Sequence, residues 1–209
     1  MKKLFTAIRK NDIATVGAIL EKSPESISCV STGAPKKDIG QSPLQVALKA
    51  SSTEIIHCLL DRHADVNFME GEDTPSEWRA PVLHDAINRA VMCSRWNTVG
   101  PDGLSVYNTK KDADEAFEIL KRMISLGADV NGKDSFGNTC LDRACLQARQ
   151  ILPDARGGRV LTEELREDLA RIFDLLTESG ADLSYIRPGA TGKNYAEQYA
   201  DDPLGMFLK

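Results

Sequence analysis

Long apolar runs are missing from this 209-residue chain. Nothing approaches the roughly 18 consecutive apolar residues of a membrane-spanning helix, so no membrane association is expected. Histidine is scarce, with three residues, and the five cysteines (Cys29, Cys58, Cys93, Cys140, Cys145) are odd in number and include no CxxC pair. Free thiols in a reducing compartment fit that usage better than a disulfide framework. The start, MKKLFTAIRKND, is basic like a signal peptide, but Arg9, Lys10, Asn11 and Asp12 break its apolar core. No secretion signal is therefore expected, and the expected location is cytoplasmic. A strong positive charge is also missing. Residues 1–68 hold nine basic and seven acidic side chains, whereas 69–209 hold 17 and 24. A chain whose larger part is acidic lacks the footprint of a duplex binder, so no nucleic-acid partner is expected.

What the chain does have is a recurring polar turn. In LGADVNGKDSFGNTCL (126–141) an apolar helical pattern (Phe117, Ile119, Leu120, Met123, Ile124) ends, the chain turns on Gly127, and a second helix opens at Thr139 and Leu141. Asp134 and Gly137 supply turn chemistry, a self-bonding carboxylate and a residue free to take positive φ. Weaker copies are RHADVNF at 62–68 and SGADLSY at 179–185. Around them lie pairs of amphipathic stretches. Leu4, Phe5, Ile8, Ile13, Val16, Ile19 and Leu20 fit a helical hairpin broken at Asn11-Asp12, and Ser23-Pro24 ends it. Ser42-Pro43 is a strong helix start, followed by one stripe of Leu44, Ala47 and Leu48 and another of Ile55, Ile56, Leu59 and Leu60.

These units resemble the ankyrin repeat, a β-turn plus two helices with a T-P-L-H-x-A signature. Ser42-Pro43-Leu44, Leu83-His84-Asp85-Ala86 and Thr139-Cys140-Leu141 stand at the signature positions. Departures are Gln45 and Asp142 for the signature histidine, Cys140 for proline, and His63 for the turn glycine. By resemblance, His84 bonds the turn backbone. The implied fold is all-α, an ankyrin-repeat α-solenoid of stacked helical hairpins with projecting β-turns. It forms a single domain over 1–209, with units near 1–38, 39–68, 69–132, 133–184 and 185–209. Spacing places insertions near 91–114 and 152–166, between the helices of units three and four. Pro101-Asp102-Gly103 predicts a small β-hairpin within 97–108, and Thr162-Glu163-Glu164 a helix start. The last unit is degenerate, with Leu204, Met206 and Phe207 expected to cover the end.

No catalytic constellation emerges. Gly189-Ala190-Thr191-Gly192-Lys193-Asn194 imitates part of a phosphate loop, but Arg187 stands where the first glycine belongs and Asn194 where Ser or Thr does. It reads as a turn. His57, Cys58, His63, His84 and Cys93 lack zinc-ligand spacing, and Cys140 and Cys145 have no histidine beside them in sequence to form a thiolate. The acids at 112–115 and 163–168 read as solvated helix-start residues. No catalytic residue, cofactor or metal is therefore expected.

Binding remains, and the resemblance implies contact through turn tips and the concave helix face. Carried over residue by residue, that surface comprises Asp38, Ile39, Gln41, Lys49 and Ala50 in unit two. Unit three offers Glu77, Trp78, Ala80, Asn88 and Arg89, and unit four Ser135, Phe136, Asn138, Leu146 and Gln147. Trp78, Arg89 and Phe136 are hot-spot residue types. The insertions, with Trp96, Tyr107, Arg149, Arg156 and Arg159, offer a second surface. The expected function is a monomeric, non-enzymatic module that binds a partner protein. A dedicated inhibitor or immunity-type protein for one toxin or enzyme is an alternative. So is a ligand-binding or catalytic site where the insertions meet.

Overall fold

The computed structural model describes residues 2–33, 35–50, 52–72, 74–154, 157–189 and 192–209. It is mostly helical. Consecutive helices are α1 (Lys2–Arg9), α2 (Ile13–Lys22), α3 (Pro43–Ala50), α4 (Thr53–Asp61) and α5 (Val82–Met92). They continue as α6 (Lys110–Ser125), α7 (Cys140–Ile151), α8 (Glu163–Glu178) and the single turn α9 (Tyr195–Gln198). A short hairpin, β1 (Asn97–Gly100) and β2 (Gly103–Val106), lies between α5 and α6. From α1 to α8 each helix packs on its hairpin partner. In addition α1 meets α3, α3 meets α5 and α5 meets α7, while α2 meets α4, α4 meets α6 and α6 meets α8. One apolar core runs from Leu4 through Leu44, Leu83, Leu120 and Leu141 to Phe173 and Leu208.

Local chemistry sets the boundaries. Asn11 takes positive φ and Asp12 accepts the Thr15 N–H, so α1 and α2 fold back on each other at the expected turn. Ser42 caps α3 by accepting the Gln45 N–H, and Gln45 returns the bond to the Ser42 N–H. Thr109 with Asp112 and Thr139 with Asp142 close the same reciprocal box on α6 and α7. His63, standing where the turn glycine belongs, adopts φ 60°.

The three copies of the turn share one geometry. Asp65, Asp129 and Asp182 each accept a backbone N–H two residues on, from Asn67, Asn131 and Ser184. Asn67 then reaches the next copy: its amide donates to the Gly127 carbonyl at 2.9 Å and its oxygen accepts the Asp129 N–H at 2.8 Å. Asn131 repeats both bonds onto Gly180 and Asp182, each at 2.9 Å. The similarity of these segments is thus a repeated clamp between neighbours.

The insertions are narrower than the spacing predicts. Because α5 runs on to Met92 and the Thr109 box starts α6 early, the first occupies 93–109; the second occupies 152–162, ahead of the Thr162 cap. The hairpin forms at the predicted place, turning at Pro101-Asp102 with Gly103 at φ 103°. The two insertions meet: the Val99 N–H donates to the Gly158 carbonyl at 2.8 Å. Asn97, wholly buried, exchanges two bonds with the Val160 backbone at 2.8 and 3.0 Å.

Asp168 fixes that junction. It is 1% exposed, so it is not the solvated helix-start acid that sequence alone leads one to expect. Its carboxylate accepts the Arg95 backbone N–H and Nε, both at 2.9 Å, and lies 3.1 Å from Arg171. At the far end, Leu204, Phe207 and Leu208 are buried and Phe207 stacks on Phe173 at 5.5 Å, but Met206 is 38% exposed. The last turn is a 3-10 turn over Pro203–Phe207, which points Met206 outward. Asp168→Ala strands the part-buried Arg95 guanidinium and its backbone N–H, a loss of about 1–3 kcal/mol, since Glu167 and the Glu164 carbonyl still hold the arginine. Chemical denaturation is expected to register it, with faster amide exchange confined first to residues 95–108.

Candidate functional site

The surface begins with the turn around Asp134. This carboxylate, 4% exposed, accepts the Phe136 and Asn138 N–H groups and the Asn138 amide, all within 3.1 Å. It also accepts the Trp78 indole N–H at 2.9 Å. Burial pushes Asp134 up, but these donors outweigh it and hold the carboxyl below its ordinary range. Two side chains are thereby placed in opposite ways. Phe136 projects outward, 58% exposed, as the sequence leads one to expect. Trp78 is half-buried, bonded to Asp134 and covered by the Arg143 guanidinium 4.9 Å from its ring. It ties the long connector to the next turn instead of standing free.

Trp78 also forms one wall of a cleft of about 620 Å³. Arg9, Lys36, Lys37, Ile39, Lys49 and Ala50 rim it, with Asp38, Gln41 and Glu70 beneath. Gly40, at φ 84°, brings the turn so close that a Cβ there collides with Thr74 of the connector, which fixes the cleft's width. Below the floor, Gln45 donates to Glu70 at 3.0 Å, Glu70 accepts the Ala80 N–H at 2.9 Å, and Lys49 lies 3.4 Å from Asp85.

Several residues expected on the contact surface are inside. Asp38 is 4% exposed because Arg9 from α1 takes its carboxylate at 2.7 Å. Gln41 is 7% exposed, its carbonyl bound by Ser31. Ala80 is buried against Glu70, and Asn138 is held between Asp134 and Arg187. Ser135 is half-buried, accepting the Arg79 N–H and donating to the Glu77 carbonyl. Ile39 and Gln147 are partly exposed, and Lys49, Ala50, Glu77 and Leu146 are exposed. Asn88 and Arg89 are half-buried; Arg89 donates to Thr53 at 2.8 Å, while its Nε and the Asn88 Oδ1 find no partner among the described residues. The cleft thus gathers the unit-two residues with Trp78, whereas Phe136, Leu146 and Gln147 lie outside it.

At the insertions, Trp96 and Tyr107 stack on each other at 4.2 Å. A broader cleft of about 1220 Å³ lies beside the second insertion and carries Arg149 and Arg159 with Lys193, Asp201 and Asp202. Arg156, Ala190 and Thr191 lie outside the described residues. Cys140 and Cys145 are buried, and burial raises both thiols. Among the described residues no three of His, Cys, Asp and Glu gather as a metal site, and no helix is long and apolar enough to cross a membrane.

His84 and Asp85 titrate in opposite senses. His84 is wholly buried and its Nε2 lies 3.2 Å from the Gly132 carbonyl, the turn-backbone bond expected of it. Burial, against that bond, lowers its pKa from 6.5 to about 4. Its stabilising share is therefore complete above pH 6.5 and lost as pH falls towards 4. Burial raises Asp85 from 3.8 to about 6, against the pull of Lys49. Its share is complete below pH 3.8 and lost as pH rises through 6, so each neighbour offsets the other across the overlap. Asp85→Asn is expected to stabilise the protein at pH 7 relative to pH 4 and to steepen the loss on acidification. Urea midpoints measured between pH 4 and 7 check this.

The comparisons agree with this geometry. Residues 39–70, which hold α3, α4 and the His63 turn, match the ankyrin repeat family model. No curated protein matches the chain. The Ser-Pro start, the paired helices and the turn that clamps its neighbour thus coincide with the matched segment, and residues 39–70 form an ankyrin repeat.

Proposed function

We propose that this chain is a five-unit ankyrin solenoid, with units near 1–38, 39–68, 69–132, 133–184 and 185–209, that binds a partner protein without catalysing a reaction. Ankyrin repeats are generally protein–protein interaction modules. The observation that carries the reading here is Phe136: a large apolar side chain, 58% exposed, at the tip of a turn whose backbone N–H groups from Asp134 to Asn138 are all bonded. An exposed aromatic on a rigid support loses little ordering entropy on association. Leu146, 36% exposed on α7, and the cleft rimmed by Ile39, Lys49 and Ala50 extend the contact surface on either side. The absence of catalysis is supported by the chemistry of the buried groups. His84 is committed to the turn backbone, and both inward thiols are held in the protonated form by burial.

The test is to capture partners with the full chain and then compare Phe136→Ala with the parent. Titration calorimetry is expected to show binding weakened by more than about 1 kcal/mol, with the thermal midpoint unchanged. A variant that unfolds yet spares affinity overturns the placement of the contact surface. A thermal-shift screen against metabolites separates this function from a ligand site at the insertions, since a ligand bound only by the folded form raises the midpoint.

A further inference from the structure

The hairpin between α5 and α6 has one edge taken and one edge open. Gly158 accepts the outward N–H of Val99 on β1, and Val160 is bonded beside it by the Asn97 side chain. On β2 the register Asn97↔Val106 and Val99↔Leu104, together with the Tyr107 N–H donating to the Trp96 carbonyl, fixes the ladder. Hydrogen-bonded and non-bonded pairs alternate, so the backbone N–H and C=O of Leu104 and Val106 face away from β1. Among the described residues nothing bonds to them. Val99, Leu104 and Val106 share one face and are 46%, 50% and 55% exposed. The sequence GLSV has no proline or charge to blunt the edge, the devices that natural edge strands use against further pairing.

We infer that β2 pairs antiparallel with β2 of a second copy of this chain, about a two-fold axis through Ser105. The charges flanking the strand select this occupant. Asp102 precedes β2, and Lys110 and Lys111 follow it, all exposed; the lysines also make solvent-screened pairs with Asp114 at 2.6 Å and Glu115 at 3.6 Å one turn on. Centring the pair on Ser105 sets Leu104 of each copy against Val106 of the other, where both backbone bonds are exchanged. The same step carries each Asp102 to the far end of the other strand, where the two lysines open α6. That helix end adds its own positive dipole. Parallel pairing instead sets acid beside acid and base beside base.

The ribbon is already rigid. Trp96 stacks on Tyr107, and the Asn108 amide, at φ 64°, donates to the Met92 and Ser94 carbonyls at 2.8 and 2.9 Å. The contact is small, which sets the association at the weak end of the range. It uses none of the groove residues, so it stands independently of the function proposed above.

Sedimentation of the full chain from low micromolar to millimolar concentration tests it. A monomer–dimer equilibrium is expected. Asp102→Lys should raise the dimer dissociation constant several-fold, since the axis applies each substitution twice. Adding Lys110→Asp and Lys111→Asp should restore it, and Leu104→Lys with Val106→Lys should abolish the dimer. All these side chains are exposed, so circular dichroism should stay unchanged; if the double lysine variant misfolds, the charge-swap series decides alone. A chain that stays monomeric throughout overturns the inference, as does a dimer indifferent to the charge swap.

Discussion

A hairpin of two short helices cannot bury both of its apolar stripes by itself, and the rest of this molecule follows from that constraint. At about 25 cal/mol per Å² one hairpin gains too little to offset the entropy of ordering it. Each must lend its faces to the next. Leu44 and Leu83 on the shorter helices, and Ile55 and Ile119 on their partners, are all wholly or almost wholly buried. Extra chain has no room inside such packing, so the two insertions are pushed out between α5 and α6 and between α7 and α8. There they find each other.

Their junction is polar where the body is apolar. Asn97, Arg95 and Asp168 hold it with directional bonds to backbone and to one another. Two carbonyls that α5 leaves behind, at Met92 and Ser94, are taken by Asn108. Buried polar groups of this kind are costly unless fully partnered, which explains why the hairpin sits in one place and keeps an ordered open edge. The exposed turn has a similar origin: a carboxylate inside, at Asp134, places Phe136 outside.

Much of this was legible in the sequence because it is local. The Ser42-Pro43 start, the Asn11-Asp12 bend, the Pro101-Asp102-Gly103 hairpin and the repeated Ala-Asp-Val-Asn turns each depend on residues a few positions apart. The candidate contact residues were less legible. Asp38 is buried by Arg9, Asn138 is held by Arg187, and Trp78 is tied to Asp134, partners 29, 49 and 56 positions away in sequence. Asp168, on α8, looks like any acid near a helix start until Arg95 is brought to it from the first insertion. The edges of the first insertion were not legible either, since α5 runs on to Met92 and the Thr109 cap starts α6 at Lys110.

The asparagine clamps carry no charge. Asn67 and Asn131 set the distance from one turn to the next through amide-to-backbone bonds alone. The helices behind them add half-exposed ion pairs, such as Arg171 with Asp114, to their apolar packing. Dissolved salt weakens the second kind of joint and ignores the first. The spacing between these turns is therefore set independently of ionic strength, while ion pairs such as Arg171 with Asp114 weaken as salt rises.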